Sequence, residues 1–179
     1  MNVNLTLSSQ SGGDALGDTF NSIEDVFGSA FADSLTGSAS GNRLMGQGGN
    51  DVLNGGAGND KLTGGSGADT LIGGADADIF VFNSVQDSLK LGARDVIVDF
   101  THLADHIDLR NVDANSNVAK DQSFQFIGSQ AFHHQAGELH FLAKAGFAMV
   151  EGDVNGDGMA DLQIEVHGVS TVTADDFFL

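Results

Sequence analysis

A nine-residue period organises the first half of the chain. From Gly28 onward, six consecutive units carry glycine at the first position, Asp or Asn at the sixth and an apolar residue at the eighth. The first positions are Gly28, Gly37, Gly46, Gly55, Gly64 and Gly73; the sixth are Asp33, Asn42, Asp51, Asp60, Asp69 and Asp78; the eighth are Leu35, Leu44, Leu53, Leu62, Leu71 and Phe80. These three positions recur in one register, and they therefore predict a structure that repeats every nine residues.

Each unit is expected to form one turn and one short strand. Glycine permits the backbone conformations that a six-residue turn needs, and the three remaining residues form a strand whose middle side chain faces inward. Two units make one coil, so stacked coils align the eighth-position side chains as an aliphatic core. The repeats therefore predict an all-β fold, a right-handed parallel β-roll, with the acidic column on the outside of the turns.

Stacked aspartates repel one another unless a cation lies between them. Calcium suits this role because it takes six to eight oxygen ligands, and a glycine-rich turn offers carboxylates and bare carbonyls. Alternate units lie on the same side, so we expect ions between Asp33 and Asp51, Asp51 and Asp69, Asn42 and Asp60, and Asp60 and Asp78. Because the Asn42 side chain is neutral, we expect its calcium site to be weaker. Further turn ligands are expected at Gly46, Gly48, Gly55, Ala57, Gly64, Ser66, Gly73 and Ala75.

The register continues for one unit beyond the glycines. Asp87 and Leu89 fall at the sixth and eighth positions of the unit that begins at Phe82, so Asp87 is expected to close a last site with Asp69. Glycines are best kept in the later units, and Asn42 lies near the start. We therefore expect calcium to fill the C-terminal turns first.

Composition excludes several classes of function. The 179 residues carry a formal net charge of -18, which opposes binding to nucleic acid or anionic lipid. The chain has no cysteine, so disulfides and a thiolate nucleophile are excluded. No apolar run reaches the roughly 20 residues that span a bilayer, and the first residues lead us to expect no Sec-type signal peptide. A flexible linker is the alternative interpretation of the Gly-rich stretch, but it does not explain a Leu at every ninth residue; it describes the calcium-free state.

The best repeats resemble a known family. The segments GGAGNDKLT (55–63) and GGSGADTLI (64–72) resemble the nonapeptide of RTX (repeats-in-toxin) proteins. This resemblance implies a chain that binds calcium outside the cell. It also implies export from a Gram-negative bacterium by a type I ABC exporter, which reads an uncleaved C-terminal signal.

The second half predicts short strands in place of the repeat. Candidate strands are 95–100, 107–109, 123–127, 138–142, 147–151, 162–166 and 176–179. In order, ARDVIVDF, DHIDLRNVD, AGELHFL, DVNGDGMADLQIEV and DFFL resemble the C-terminal domain of serralysin-type metalloproteases. We therefore expect three parts: a lead-in or cap over residues 1–27, the calcium β-roll over 28–90, and a capping β-sheet or sandwich over 91–179.

The last residues match the export signal of that metalloprotease branch. The chain ends in an acidic residue followed by three apolar ones, Asp176, Phe177, Phe178 and Leu179. The resemblance implies that these residues are the part read by the exporter. We therefore expect a secreted, extracellular protein.

A second acidic loop lies in the C-terminal half. Asp153, Asn155, Asp157 and Asp161 stand at positions one, three, five and nine of a DxNxDG pattern, and Met159 is placed to offer a carbonyl. The glutamate that ends an EF-hand loop is absent, since Ile164 stands there. The loop is either a calcium site between two strands or a plain turn.

Other polar residues give little support for catalysis. His133, His134 and His140 lie close together, but no HExxH pattern accompanies them, so neither zinc nor a catalytic role is predicted. Asp99 and Asp108 are candidates for peripheral calcium oxygens. The sequence thus favours a non-enzymatic calcium module that supports secretion and folding of a larger protein. A polysaccharide-binding or adhesion module and a fragment of a secreted hydrolase remain as alternatives.

Overall fold

The computed structural model describes residues 1–7, 18–89, 92 and 94–179. Within these residues the chain forms short strands and one 3₁₀ helix. The strands are β1 (Asn2–Asn4), β2 (Asp25–Phe27), β3 (Ser34–Thr36), β4 (Arg43–Gly48), β5 (Val52–Ala57), β6 (Lys61–Ser66), β7 (Thr70–Ala75), β8 (Ile79–Val81), β9 (Asp95–Ile97), β10 (His106–Asp108), β11 (Gln125–Phe126), β12 (Glu138–Lys144), β13 (Phe147–Asp153), β14 (Leu162–His167) and β15 (Phe177–Phe178). The helix spans Ala174–Asp176. The predicted all-β class is confirmed.

Consecutive strands of the repeat alternate between two parallel sheets. The first sheet has the order β1-β3-β5-β7-β9-β14-β13-β12-β11, and the second has the order β15-β10-β8-β6-β4-β2. In both sheets a residue of the repeat pairs with the residue eighteen positions later, as Leu35 does with Leu53 and Leu44 with Leu62. Two nine-residue units therefore make one coil of a parallel β-roll.

The eighth-position residues form the core of the roll. All six side chains from Leu35 to Phe80 have 0% exposure. Complete burial of a leucine side chain contributes about 1.5 to 3 kcal/mol, so this column is a principal source of stability. Ile97 and Ile107, also fully buried, extend it into the next coil.

The strands of the middle units are longer than the three residues expected. β4 to β7 each span six residues, because the first positions of the following turn also pair with the next coil. Gln47 pairs with Gly65, and Gly56 pairs with Gly74. The glycine-rich turns are thus part of the sheets.

The C-terminal strands continue both sheets of the roll: β9 and β11 to β14 extend the first sheet, and β10 and β15 extend the second. β9 pairs in parallel with β7 of the roll and with β14 of the C-terminal part. β12, β13 and β14 then form an antiparallel meander. Each predicted C-terminal strand has a counterpart here, while the division at residue 90 stays a prediction.

Candidate calcium ladder

The sixth-position carboxylates form hydrogen-bonded ladders along the two edges of the roll. The backbone N–H of each sixth-position residue donates to the Oδ1 atom of the equivalent aspartate one coil later. The N···O distances are 2.8 Å from Asp33 to Asp51, 2.6 Å from Asn42 to Asp60, 2.7 Å from Asp51 to Asp69, and 2.9 Å from Asp60 to Asp78. Stacking of the coils therefore fixes the direction of every carboxylate.

The second oxygen of each of these carboxylates is buried without a hydrogen-bond partner. Among the described residues this holds for Oδ2 of Asp51, Asp60, Asp69, Asp78 and Asp95. The side chains are 0 to 2% exposed, so the expectation that they lie on the outside of the turns is wrong. A buried acceptor without a partner is costly, and a charged one more so, and these oxygens therefore fit a cation site.

Glycine at the first position makes room for this oxygen. A Cβ atom added to Gly46 would overlap Asp51 Oδ2 and lie 2.6 Å from the carbonyl oxygen of Gly64 on the next coil. Gly55 has the same relation to Asp60 Oδ2 and to the Gly73 carbonyl oxygen, again at 2.6 Å. Carboxylate and carbonyl oxygens therefore converge beside these two glycines, which is the donor set that calcium prefers.

Burial shifts the protonation of the ladder. Loss of solvation raises the pKa of Asp69 to about 7, of Asp78 to about 6 and of Asp95 to about 9. Burial also raises the pKa of Asp51 and Asp60. The cause is desolvation, which disfavours the charged form, and repulsion from neighbouring aspartates adds to it.

The two N-terminal turns differ, because serine stands at their second position. Asp33 Oδ2 accepts hydrogen bonds from the Ser29 N–H at 2.5 Å and hydroxyl at 3.0 Å, and its other oxygen accepts one from the Met1 ammonium group. Asn42 Oδ1 accepts the equivalent bonds from Ser38, at 2.6 and 3.1 Å. These bonds outweigh burial and lower the pKa of Asp33. Hydrogen bonds from the protein thus already satisfy the sixth-position side-chain oxygens of these two turns.

The backbone explains why only the later turns leave an oxygen free. Gln47, Gly56, Gly65 and Gly74 occupy the second position of the later units with φ between 78° and 106°. Ser29 and Ser38, both within the described residues, do not have positive φ. In these two early turns the second-position N–H donates to the sixth-position side chain.

The predicted register beyond Phe82 is wrong, because an insertion lengthens the next coil. Leu71 pairs with Ile97, and Phe80 pairs with Ile107, so the offset of eighteen is lost. Asp87 Oδ2 accepts a bond from the Asn83 N–H at 2.7 Å, and Leu89 forms an isolated bridge with Leu162.

Asp95 and Asp105, which sequence reasoning missed, take the next places in the ladders. The N–H of Asp69 donates to Asp95 Oδ1 at 2.8 Å, and that of Asp78 donates to Asp105 Oδ1 at 2.9 Å. A signal was present, because each of these two aspartates precedes a buried isoleucine by two positions, as in the repeats.

The second acidic loop connects β13 to β14, and its side chains are held by its own backbone. Asp153 is fully buried and accepts bonds from the Gly156 and Gly158 N–H groups at 2.7 and 2.8 Å. Asp161 Oδ2 accepts one from the Val154 N–H at 3.0 Å. Asn155 Oδ1 accepts the Asp157 N–H, and Asp157 Oδ1 accepts the Met159 N–H, both at 2.8 Å. The calcium assignment of this loop stays a prediction.

The three neighbouring histidines have protein partners. His133 Nδ1 lies 2.7 Å from Glu138, His134 Nδ1 lies 2.9 Å from the Asp157 carbonyl, and His140 Nε2 lies 3.0 Å from Glu151. Among the described residues no group of three or more His, Cys, Asp or Glu side chains is arranged to hold a metal ion. Each hydrogen bond of the ladder joins two sixth-position residues, so backbone carbonyls would have to supply further oxygens to a bound ion.

The remaining acidic candidates have structural partners. Asp99 accepts bonds from the Gly73 and Gly74 N–H groups, both at 2.9 Å, and so caps the last turn of the first sheet. Asp108 accepts two bonds from the Arg110 side chain at 2.9 and 2.7 Å, which lower its pKa. Their role as peripheral calcium oxygens stays a prediction.

The C-terminal tetrapeptide is part of the fold. Asp176 is fully buried and accepts bonds from His102, at 2.8 Å, and from the Thr173 N–H, at 2.7 Å. Phe177 is buried on β15, which pairs with β10, and Phe178 stacks on His106 with ring centroids 4.5 Å apart.

In the described part of the chain, no helix has the length and apolar character needed to cross a membrane.

Comparison with known proteins gives consistent matches. The family model "Peptidase M10 serralysin C terminal" matches residues 38–179, and the model "RTX calcium-binding nonapeptide repeat (4 copies)" matches residues 19–53. The AlgE6R3 subunit of the Azotobacter vinelandii mannuronan C5-epimerase is similar at 26% identity and TM-score 0.62, over 90% of this chain and 86% of that one. The AlgE6R2 subunit is similar at 24% identity and TM-score 0.65, over 89% and 94%. A search of the curated proteins finds no match.

Proposed function

Because the chain belongs to the serralysin C-terminal family and carries RTX calcium-binding repeats, we propose that it folds on calcium outside the cell and supports type I secretion of a larger protein. It is a calcium-binding module, and its family matches are to non-catalytic domains. The observation that carries the proposal is the ladder of buried carboxylate oxygens without partners.

Calcium is expected between stacked turns of the later units. Asp51 with Asp69, and Asp60 with Asp78, would each contribute the Oδ2 atoms that lack a partner. Carbonyl oxygens beside the first-position glycines, such as that of Gly64, would complete the ligand set. When bound, each ion supplies positive charge between carboxylates that otherwise repel one another. Asp33 and Asn42 contribute little, because Ser29 and Ser38 already occupy their oxygens.

The charge of the chain supports folding after export. A net charge of -18 with no cysteine leaves the calcium-free roll without disulfides and with strong self-repulsion. Such a chain suits passage through an exporter as an unfolded thread. Burial of Asp176 and Phe177 in the fold fits a signal that is read before folding.

A calcium titration tests the folding part of the proposal. Circular dichroism is recorded on the metal-free chain, then with calcium and finally with excess EDTA, and magnesium serves as the ion control. We expect β-structure to rise with calcium and to fall again with EDTA. Asp60→Asn is expected to weaken the response, whereas Asp25→Asn, an exposed aspartate of β2, leaves it unchanged. Unchanged β-structure throughout would contradict calcium-dependent folding.

Secretion is tested separately with the last four residues. Cells that express the chain together with a type I exporter are fractionated, with and without deletion of residues 176–179. We expect the full chain in the medium and the deleted chain inside the cells. Equal export of both would show that the tetrapeptide is not the signal, and would leave calcium binding untouched.

A second candidate function is binding to polysaccharide. The AlgE6R3 subunit, from a mannuronan C5-epimerase, is similar over 86% of its own length, which favours a carbohydrate partner of acidic type. The seven lysines and arginines are scattered along the sequence, so calcium would have to bridge the two partners. Titration calorimetry with alginate at saturating calcium tests this candidate. The absence of a heat of binding would exclude polysaccharide binding.

A further inference from the structure

His140 is a buried histidine of β12 that takes no part in the calcium ladder. It is 4% exposed. Its Nδ1 atom lies 2.6 Å from the Gln130 carbonyl oxygen, and its Nε2 atom lies 3.0 Å from Glu151 Oε2. A carbonyl oxygen and an ionised carboxylate only accept hydrogen bonds, so each ring nitrogen has to carry a proton to make its bond. The surroundings therefore select the doubly protonated imidazolium form of His140.

Glu151 has a partner for each of its two oxygens. It lies opposite His140 on β13, and Gln163 lies opposite it on β14. Oε2 accepts the bond from His140, while Oε1 accepts one from the Gln163 Nε2 group at 2.6 Å. The ring nitrogens of His140 and the carboxylate oxygens of Glu151 are thus all bonded to protein groups. These side chains hold parts of the fold in place.

The Gln130 carbonyl belongs to the loop between β11 and β12, residues 127–137. Backbone hydrogen bonds hold the two ends of this loop, at Gly128 and Gly137. The residues between these ends are exposed or half-buried, so their order depends on a small number of contacts. One of these contacts is the His140 ring, which joins the loop to β12 through the Gln130 carbonyl.

The charged groups around His140 favour its proton. Glu151 faces the ring from β13, and Glu138, two positions earlier on β12, adds a second negative charge. Lys144 on β12 acts on Glu151, and His133 of the loop is bonded to Glu138. The side chain that β14 presents is an uncharged amide. Burial lowers the pKa of His140, but its two hydrogen bonds and these carboxylates outweigh burial and raise that pKa above the ordinary value of 6.5.

We propose that His140 is a pH-dependent clamp, which fastens the loop 127–137 to the meander as an imidazolium and releases it on losing a proton. A neutral ring has one N–H and can keep only one of the two bonds. It keeps the bond to Glu151, because a hydrogen bond to a carboxylate is stronger than one to a carbonyl. The Gln130 carbonyl then loses its donor.

The direction of the switch follows from the raised pKa of His140. The bond to Gln130 stabilises the loop fully below about pH 6.5, and this contribution is lost as the pH rises through the pKa of the folded state. The loop should therefore be ordered in mildly acidic medium and mobile in alkaline medium.

Nuclear magnetic resonance of the calcium-saturated chain tests the clamp between pH 6 and 9. Nitrogen-15 shifts of the His140 ring show which nitrogens are protonated, and we expect both at pH 6 and Nε2 alone at pH 9. Relaxation of the Ala131 methyl group, which is attached directly to the loop backbone, measures loop motion. Its order parameter is expected to fall from about 0.85 at pH 6 to below about 0.6 at pH 9.

Three variants separate the clamp from a general effect of pH. His140→Gln is uncharged throughout and should leave Ala131 mobile at every pH. His134→Gln, which replaces an exposed histidine of the same loop, should retain the wild-type transition. Glu151→Gln should move the transition to lower pH, because it removes the carboxylate that stabilises the proton.

The wild-type titration alone can overturn the clamp. A His140 ring whose protonation does not change between pH 6 and 9 overturns it, and so does a ring that loses its proton while Ala131 stays equally ordered. If His140→Gln does not fold, this titration still decides the matter, because it needs no substitution.

Discussion

Removal of calcium should make the stability of the roll depend steeply on pH. Burial raises the pKa of Asp69 from 3.8 to about 7 and that of Asp78 from 3.8 to about 6. One pKa unit corresponds to about 1.4 kcal/mol, so the two shifts cost the metal-free fold roughly 4 and 3 kcal/mol when both groups are ionised. The total of roughly 7 kcal/mol is comparable with the whole stability of an ordinary domain.

The sign follows from the raised pKa values. The cost is absent below the unfolded pKa of 3.8, grows as the pH rises through the interval up to about 7, and is complete above it. The metal-free roll should therefore become more stable as the pH falls from about 8 to 5. The assay is urea unfolding in EDTA, followed by circular dichroism across this range.

Two controls isolate the ladder in this experiment. Burial lowers the pKa of His140, but bonds to Glu151 and the Gln130 carbonyl outweigh it and raise that pKa, so His140 also favours the fold at lower pH. Calcium-saturated protein retains His140 while its ladder charge is neutralised, and should show a much flatter dependence. Asp69→Asn with Asp78→Asn should flatten the metal-free curve in part, because Asp95, whose pKa burial raises to about 9, keeps its own share of the dependence. A metal-free stability that is constant between pH 8 and 5 would refute the reasoning.

Three further predictions follow from individual turns. Asp60→Ala should lower the cooperativity of calcium binding more than Asp33→Ala, because only Asp60 has an oxygen without a partner; equal Hill coefficients in a calcium titration would count against this. Ser38→Gly combined with Asn42→Asp should add one calcium ion by equilibrium dialysis, since the change removes the Ser38 hydroxyl bond, permits the positive φ of the later turns and supplies a charge. Leu62→Ala should lower the unfolding free energy in calcium by about 2 to 5 kcal/mol, measured in urea, with exposed Lys61→Ala as the near-neutral control.

The repeat itself could be predicted from the sequence because the residue type at each recurring position has one physical cause. The eighth position must be apolar to fill the core, and the sixth must carry an oxygen for the ladder. The first must be glycine because a Cβ atom would meet the carboxylate of its own turn. These causes act within eighteen residues and therefore recur visibly along the chain.

The residues that end the ladder could not be predicted by extending the nine-residue spacing along the sequence. The insertion after Val81 changes the spacing while the sheets continue, so Asp95 pairs with a coil that lies 26 residues earlier. Asp87, which keeps the nine-residue count, bonds to the Asn83 backbone, and its calcium site with Asp69 stays a prediction. Register in a solenoid is set by strand pairing, and sequence spacing reveals it only while no residue is inserted.

We expect the ends of the ladders to limit how many ions a given number of repeats binds. At the start, Ser29 and Ser38 donate to the sixth-position side chains and replace a cation. At the far end, the Thr101 N–H does the same for Asp105, while Ser88 closes only the backbone of Asp95. We therefore expect calcium to bind only in the turns between these closures. A change at a closing residue alters the ion count, whereas adding a repeat in the middle lengthens the roll and raises the count in step.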